Sequence, residues 1–308
     1  MPQIAGDDGV ALNYAVRGSG GASVVYLHGM GGNVGTWQRL WDELAAESYQ
    51  HVGLDFRGHG GSTRSPCELT NERSSRDVLN LADALGLEHF AVVGHSMGGK
   101  VAMRLAAMAP DRILGLALIG SPGPGLVPLR REDVAEFMAT YQDVAVTEAF
   151  FRPWFKVWPN ATVDDWIRSF SALPEWALHA AAEMSIWTNI AVDVRGVKVP
   201  ALLIAGDDDP VYGSAYQRQE VLPFFPAGRL VSVPDCGHGL ILERPREIAL
   251  HVGAFLREVW TPDIEGLMTF SLAALRVRSP GWLSYLLDND FPVSSSPSPP
   301  GGSAGAQT

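Results

Sequence analysis

Short apolar runs alternate with amphipathic segments along most of the chain. Residues 24–27 and 113–119 are almost continuously apolar, which is typical of strands buried on both faces of a parallel sheet. The same kinds of pattern predict further strands at residues 10–16, 51–56, 91–93, 200–205 and 229–233. Core helices are predicted at residues 37–46, 74–85, 100–108 and 245–259, the first of them capped by Thr36.

This alternation of strands and helices predicts a mostly parallel, doubly wound sheet with right-handed crossover connections. In such sheets, ligands bind outside the carboxyl ends of the strands. His28, Asp55 and Ser96 each fall at the end of a predicted strand, so we expect them at the same edge of the sheet. The pattern therefore predicts a binding site at that edge.

Residues 121–194 interrupt this rhythm, and no strand is predicted among them. These residues are predicted to form an inserted helical cap over the strand ends. They contain five of the chain's nine tryptophans. The predicted helices of this cap begin near Glu132, Thr147, Thr162 and Pro174. Most aromatic side chains of the cap are expected to form its own core, and a few to line an apolar pocket over Ser96.

The chain outside the cap divides into a core and a C-terminal part. Residues 1–120 and 195–260 are predicted to form the core. Residues 261–290 are predicted to form a helical extension that docks on the domain or on a partner. Residues 291–308 are mostly Ser, Pro and Gly, which predicts a disordered tail. The cap and the extension are the two candidate surfaces for a homodimer.

Composition narrows the functional classes. The net charge is −11 and no lysine-arginine cluster is present, which argues against nucleic-acid binding. The two cysteines, Cys67 and Cys236, cannot form a disulfide framework, and no metal-site spacing is present. No apolar stretch approaches the roughly 20 residues of a membrane span, and residues 1–10 lack the features of a secretory signal. We therefore expect a cytoplasmic protein that does not bind membranes and uses no cofactor.

The segment Gly94-His95-Ser96-Met97-Gly98 joins a predicted strand to a predicted helix. It matches the G-x-S-x-G elbow, in which a strained turn exposes a serine hydroxyl above the sheet. The two glycines suit a turn that is too tight for Cβ atoms near the serine. The helix N-terminus beneath the serine favours developing negative charge. Ser96 is therefore the candidate nucleophile.

A serine hydroxyl needs an adjacent base, usually a histidine that is itself oriented by a carboxylate. Asp209 and His238 follow the last two predicted strands, in a chain order known from one group of triads. Glycines on both sides of His238, directly after a strand, distinguish it from the other histidines. Asp207 and Asp208 remain alternatives to Asp209.

A tetrahedral intermediate needs two backbone N–H donors for its oxyanion. The predicted donors are Met97, which directly follows the nucleophile, and Met30, in the loop that follows the strand at residues 24–27. His28 is expected to fix that loop. The candidates for substrate contact are His28, Gly29, Trp154, Phe155 and Trp158.

In these motifs and their order, the chain resembles the α/β-hydrolase superfamily from about residue 10 to residue 259. The matching residues are His28-Gly29, residues 55–60, residues 94–99, Gly206 with Asp209, and Gly237-His238. In detail it is similar to the branch of small serine esterases, lactonases and acyl hydrolases with a helical cap. The resemblance implies the α/β-hydrolase fold and a Ser-His-Asp triad, but it does not imply a substrate.

The resulting hypothesis is hydrolysis of a carboxylic ester or lactone of a small to medium apolar substrate. The same triad would also serve a C–C bond hydrolase, a thioesterase or a perhydrolase. Arg152 or Arg168 could bind a substrate carboxylate, or could simply be solvated. A non-hydrolytic cyclisation or binding scaffold is the alternative from a different class.

Overall fold

The computed structural model describes residues 1–45, 48–158 and 161–260. The predicted extension at residues 261–290 and the predicted tail at residues 291–308 lie outside the described residues. The strands are β1 (Gln3–Ala5), β2 (Ala11–Arg17), β3 (Ala22–Leu27), β4 (Tyr49–Leu54), β5 (Phe90–His95), β6 (Ile113–Ile119), β7 (Ala201–Gly206) and β8 (Gly228–Val233).

These strands form one eight-stranded sheet in the order β1-β2-β4-β3-β5-β6-β7-β8. The pairs β1–β2 and β2–β4 are antiparallel, and all pairs from β4 onward in that order are parallel. The predicted mostly parallel sheet is therefore confirmed. Leu27 at the end of β3 is level with Leu54 and Gly94 on its two neighbours, so the loops after these strands share one edge.

Helices cover both faces of the sheet, because successive strand residues point to opposite sides. The helices outside the cap are α1 (Gln38–Glu43), α2 (Asn71–Ala84), α3 (Met97–Met108), α9 (Ser214–Tyr216), α10 (Leu240–Glu243) and α11 (Pro245–Trp260). Val25 and Leu27 pack in the core formed with α2 and α3, whereas Val24 and Tyr26 pack in the core formed with α1 and α11. No helix among the described residues is long and apolar enough to cross a membrane.

The segment between β6 and β7, which we call the cap, is helical wherever it carries regular structure in the described residues. Its helices are α4 (Arg131–Met138), α5 (Val144–Phe151), α6 (Ala161–Ser171), α7 (Glu175–Ala182) and α8 (Ala191–Val194). The two segments that connect the cap to the core are joined to each other by backbone hydrogen bonds. Val127 donates its N–H to Ile186 O (2.9 Å), and Ile190 donates to Pro124 O (2.8 Å).

Two local features differ from the sequence prediction. Asn33, not Thr36, caps the first helical segment, a 3-10 turn at Val34–Trp37 that precedes α1. The Asn33 side chain accepts the Gly35 N–H, and Thr36 Oγ1 accepts the Asn33 N–H in return, so that Thr36 closes a capping box from within the turn. The edge strand β1 was not predicted, because three residues are too few to show an alternation of apolar and polar positions.

Candidate active site

Ser96 lies at the turn between β5 and α3 with φ 51° and ψ −123°, a left-handed conformation that is unusual for a non-glycine residue. The flanking glycines are required by close contacts. A Cβ on Gly98 would lie 2.0 Å from Leu27 O, and one on Gly94 would lie 2.6 Å from Gly98 O. The tight crossing of β3, β5 and α3 therefore presents the serine hydroxyl at the sheet edge.

Ser96, His238 and Asp209 form one hydrogen-bonded chain, as their positions at strand ends predicted. His238 Nε2 lies 3.0 Å from Ser96 Oγ, and His238 Nδ1 lies 2.7 Å from Asp209 Oδ2. The carboxylate can only accept, so Nδ1 carries the proton and Nε2 accepts the serine hydroxyl. The arrangement can thus withdraw a proton from Ser96 as its oxygen attacks an electrophile.

The position of Asp209 separates it from the two aspartates before it. Its other oxygen, Oδ1, accepts the N–H groups of Val211 and Tyr212, each at 3.0 Å. Burial raises the pKa of Asp209, but the His238 ring and these N–H groups outweigh it and hold the pKa below the usual value. Asp207 instead accepts from two serine hydroxyls, and Asp208 pairs with Lys156.

The predicted oxyanion donors lie on the two segments that meet at Ser96. Met97 is the first residue of α3, where a backbone N–H has no partner within the helix. Among the described residues, no hydrogen bond occupies the Met30 N–H. The Met30 loop is close to the nucleophile, since a Cβ on Gly29 would lie 3.1 Å from Ser96 Cβ.

His28 holds this loop and does not reach the cavity. It is fully buried; its Nε2 accepts the Phe56 N–H at 3.1 Å, and its Nδ1 donates to Gly29 O at 2.7 Å. Burial lowers the pKa of His28 to about 4, which keeps the ring neutral. The expectation that His28 fixes its loop agrees with these contacts, whereas its candidacy for substrate contact does not, because both ring nitrogens are engaged.

The sequence did not single out His95, although it directly precedes the nucleophile. His95 Nε2 lies 3.0 Å from the His238 carbonyl oxygen, and the two rings are 5.1 Å apart. Burial, together with the nearby His238 ring, lowers the pKa of His95 to about 3. A neutral His95 therefore donates to the backbone of the His238 loop and helps to fix it beside the elbow.

The glycines around His238 make room for the cap. A Cβ on Gly237 would lie 2.2 Å from Trp154 O, and one on Gly239 would lie 2.1 Å from a ring carbon of Phe155. The Trp154 ring also meets the His238 ring edge-on at 5.2 Å. The glycines that distinguished this histidine in the sequence are therefore required by the crossing of a cap segment.

A cavity of about 100 Å³ opens above Ser96 and His238, and its wall is predominantly apolar. None of the described residues that line it is Asp, Glu, Lys or Arg. Aromatic side chains form most of the wall, namely Phe137, Phe150, Phe151, Trp154, Phe155, Trp166, Phe170 and Tyr212. The residues with a hydroxyl or imidazole group among those that line it are Thr36, His95, Ser96, Ser185, Tyr212 and His238.

The structure therefore places some of the substrate-contact candidates on the cavity wall and others elsewhere. Gly29, Trp154 and Phe155 line it. Trp158 is not part of the wall, because its indole N–H is turned to Asp164 (3.2 Å) and Arg152 covers its ring at 4.7 Å.

The two arginines considered for a substrate carboxylate also lie outside the cavity. Arg152 stacks on Trp158 and faces Glu148 at 3.9 Å, and Arg168 pairs with Asp165 at 2.5 Å. Both side chains are more than half exposed, and neither lines the cavity. Of the two readings of these arginines, the contacts favour the solvated one.

Lys100, one helical turn after Ser96, is a buried cation that holds both connections of the cap. Its fully buried side chain donates from Nζ to Gly125 O (2.9 Å) and to Ser185 O (3.1 Å). Gly125 lies before the first cap helix and Ser185 after α7. Burial lowers the pKa of Lys100 to about 8.

The depressed pKa of Lys100 predicts a change in stability with pH. The unfolded chain keeps this lysine protonated up to about pH 10, whereas the folded chain releases the proton near pH 8. Stability rises with pH wherever the unfolded state binds more protons. Relative to Lys100→Met, the wild type should gain roughly 2 kcal/mol of unfolding free energy between pH 8 and pH 10. Urea unfolding of both proteins measures this; parallel curves would contradict it.

The fold and the Ser96–His238–Asp209 arrangement together define the α/β-hydrolase class. A family model described as the alpha/beta hydrolase fold matches residues 22–145. An esterase structure from Exiguobacterium antarcticum superposes with a TM-score of 0.75 over 83% of this chain and 98% of its own, at 20% identity. The chain therefore has the α/β-hydrolase fold, and the predicted fold class is confirmed.

Two further relatives are more similar in sequence. The enol-lactonase from Burkholderia xenovorans LB400 is 27% identical, with a TM-score of 0.72 over 83% of this chain and 99% of its own. The dihydrolipoyllysine-residue acetyltransferase component of the acetoin cleaving system from Cupriavidus necator is 41% identical over 123 residues, 40% of this chain. This chain covers 33% of that relative's length. Esterase and lactonase structures thus stand among the neighbours, as the resemblance implied.

Proposed function

We propose that the protein is a serine hydrolase that cleaves uncharged carboxylic esters or lactones through an acyl-enzyme. The observation that carries the proposal is the chain from Ser96 Oγ through His238 to Asp209, which opens into a cavity where none of the described lining residues is Asp, Glu, Lys or Arg. The similarity to an esterase and to an enol-lactonase supports the same reaction class.

The mechanism follows from the protonation states that the contacts impose. His238 Nε2 takes the Ser96 proton as Oγ attacks the carbonyl carbon, and then gives this proton to the leaving alcohol. A water molecule repeats the sequence on the acyl-enzyme and releases the acid. Asp209, kept ionised by its low pKa, stabilises the imidazolium in both halves of the reaction.

The oxyanion of each tetrahedral intermediate is assigned to the Met97 and Met30 N–H groups. Both are backbone donors, so they are fixed by the elbow and by the loop that His28 holds. Donors that are aligned before the reaction cost no reorganisation when the charge develops.

The cavity wall selects for uncharged acyl groups. A carboxylate that entered it would lose its water and find no lysine or arginine among the lining residues. The proposal therefore favours an ester or lactone over a C–C bond hydrolase that recognises a substrate carboxylate. The volume of about 100 Å³ also limits the acyl group. Because a cavity of about 150 Å³ holds benzene, this one holds roughly four carbon atoms.

An ester series from acetate to decanoate, all with p-nitrophenol as the leaving group, tests the reaction and the size limit. We expect kcat/KM to be greatest at roughly two to four acyl carbons and to fall beyond them, because longer chains no longer fit under the cap. Absence of turnover across the series, from protein with a cooperative melting transition, would contradict the proposal. Thioester and peracid assays would then separate the alternatives on the same triad.

Charge selectivity is tested with a matched pair of acyl groups. The monoethyl ester of succinic acid and ethyl butyrate have the same number of acyl carbons, but only the first carries a carboxylate. We expect kcat/KM for the monoester to be lower by roughly 100-fold or more, since its charge is buried without a partner. The ethyl ester of succinamic acid, which is neutral and of the same size, is the control and should recover most of the loss. A monoester that reacts as fast as ethyl butyrate would show that a cation reaches the cavity.

A further inference from the structure

Glu243, the last residue of α10, is a buried carboxylate that accepts three backbone hydrogen bonds. Its Oε1 accepts the Gly237 N–H at 3.1 Å. Its Oε2 accepts the N–H groups of Lys156 and Val157, each at 2.9 Å. Gly237 adjoins His238, and Lys156 and Val157 belong to the cap. One side chain therefore joins the loop of the triad histidine to the cap.

Within residues 1–45, 48–158 and 161–260, no lysine, arginine or histidine forms an ion pair with the Glu243 carboxylate. The Lys156 ammonium pairs with Asp208 (3.1 Å), and Arg244 donates to Asp235 O (3.0 Å). Burial accordingly raises the pKa of Glu243, although the backbone N–H groups oppose this. A buried charge held only by backbone donors is costly as a source of stability, which points to another role.

The same two segments also meet directly at His238. The His238 N–H donates to Trp154 O at 2.6 Å, and the Phe155 ring packs against Gly239. Trp154 and Phe155 are part of the cavity wall. The segment 154–157 thus contacts the imidazole loop on one side and lines the substrate cavity on the other.

We propose that Glu243 is a positioning residue, which fixes the His238 loop and the cap segment 154–157 as one unit. This proposal rests on the proposed function, because it assigns to Glu243 the placement of the imidazole on which ester cleavage depends. The reaction rate and the shape of the cavity wall are then controlled by the same side chain. A misplacement of about 1 Å can cost roughly 100-fold in rate.

The replacement Glu243→Gln separates positioning from stability. A glutamine has one acceptor oxygen, and its NH₂ group would face either Gly237 or the pair Lys156–Val157, donor against donor. Glutamine can therefore hold one of the two segments but not both. It also removes the cost of a buried charge, so we expect the melting temperature to change by less than about 4 °C.

The experiment uses the full chain and measures two independent quantities. The first is the rate at which a fluorophosphonate probe labels Ser96, which reports serine activation without requiring the natural substrate. The second is hydrogen exchange in peptides that cover residues 154–158 and Gly237. Asp235→Asn is the matched control, because it removes an exposed carboxylate from the same loop, at a positive φ that asparagine tolerates.

We expect Glu243→Gln to label roughly ten- to hundredfold more slowly than wild type and to lose exchange protection in at least one of the two segments. Asp235→Asn should match wild type in both measurements. On p-nitrophenyl esters, kcat of Glu243→Gln should fall with the labelling rate. Should Glu243→Gln not fold, Glu243→Asp keeps the charge, shortens the reach by one methylene, and should show the same two losses.

Two results would overturn the proposal. One is unchanged exchange at residues 154–158 and Gly237; the other is a wild-type labelling rate despite lost protection. Failure of the proposed function is a separate observation, namely that the wild type hydrolyses no ester. The exchange measurement keeps its meaning in that case, because it follows the two segments and not the reaction.

Discussion

Ser96→Ala is expected to lower kcat for p-nitrophenyl butyrate by roughly a million-fold, to a residual rate that the oxyanion donors keep above that of the uncatalysed reaction. The reason is that the imidazole of His238, 3.0 Å from Ser96 Oγ, then has no nucleophile to activate. The loss should appear in kcat and in kcat/KM alike, while the melting temperature stays near that of wild type. Steady-state kinetics measure it, with a fluorophosphonate probe to exclude traces of wild-type enzyme.

Ser75→Ala is the matched control for this substitution. Ser75 lies on α2, where its hydroxyl bonds to Asn71 O, and it lies outside the cavity wall. Its replacement should leave ester turnover within about twofold of wild type, because Ser75 has no part in the triad or the cavity wall and distant sites act independently. Ester turnover that persists in purified Ser96→Ala would remove Ser96 as the nucleophile and with it the acyl-enzyme mechanism.

Asp209→Asn is expected to lower kcat by roughly ten thousand-fold. An amide in place of the carboxylate can present its NH₂ group to His238 Nδ1, which then becomes the acceptor. Nε2 carries the proton in that tautomer and cannot take one from Ser96. The distance of 2.7 Å between Asp209 Oδ2 and His238 Nδ1 makes this the dominant contact of the ring.

Asp208→Asn is a closely matched control, because it changes the neighbouring residue in the same way. The Asp208 carboxylate pairs with the exposed Lys156 ammonium, and such surface pairs contribute about 0–1 kcal/mol. Its kcat should stay within about twofold of wild type. Equal losses in the two variants would mean that the negative charge of the loop matters and the orientation of His238 does not.

The lowered pKa of Asp209 adds a test by stability. Its ionised form stabilises the fold above the ordinary carboxyl value of 3.8, and this contribution is lost as the pH falls through the lower folded-state pKa. Urea unfolding of wild type and Asp209→Asn should therefore differ most at neutral pH and converge in strong acid. A difference that grows on acidification would contradict the assigned charge.

The sequence predicted best what depends on local patterns. The strand β6 was predicted at its observed bounds, because a strand buried on both faces is apolar at almost every position. The positions of Ser96, Asp209 and His238 also followed from local signals, namely glycines and strand ends. The edge strand β1 was missed, because three residues are too few to show an alternating pattern. The N-cap role of Asn33 was missed, because Thr36 is also a residue type that caps helices.

The contacts that join distant segments could not be predicted in the same way. Glu243 and Lys100 bind backbone atoms, which every residue has, so their partners leave no pattern in the sequence. Gly29, Trp154 and Phe155 were named from the sequence, but the other aromatic residues of the cavity wall were expected only as a class. Trp154 and Trp158 are four residues apart, yet one lines the cavity and the other turns to Asp164.

The contacts of Lys100 have a consequence for how such an enzyme changes its specificity. Both ends of the cap are tied to the helix that carries the nucleophile, through the carbonyl oxygens of Gly125 and Ser185. A cap grafted from a relative must bring two carbonyl groups to the same ammonium, whatever helices lie between them. The contacts of Lys100, about one helical turn from the reacting serine, therefore limit which caps can replace this one. The sequence of the cap helices themselves is not restricted by these contacts.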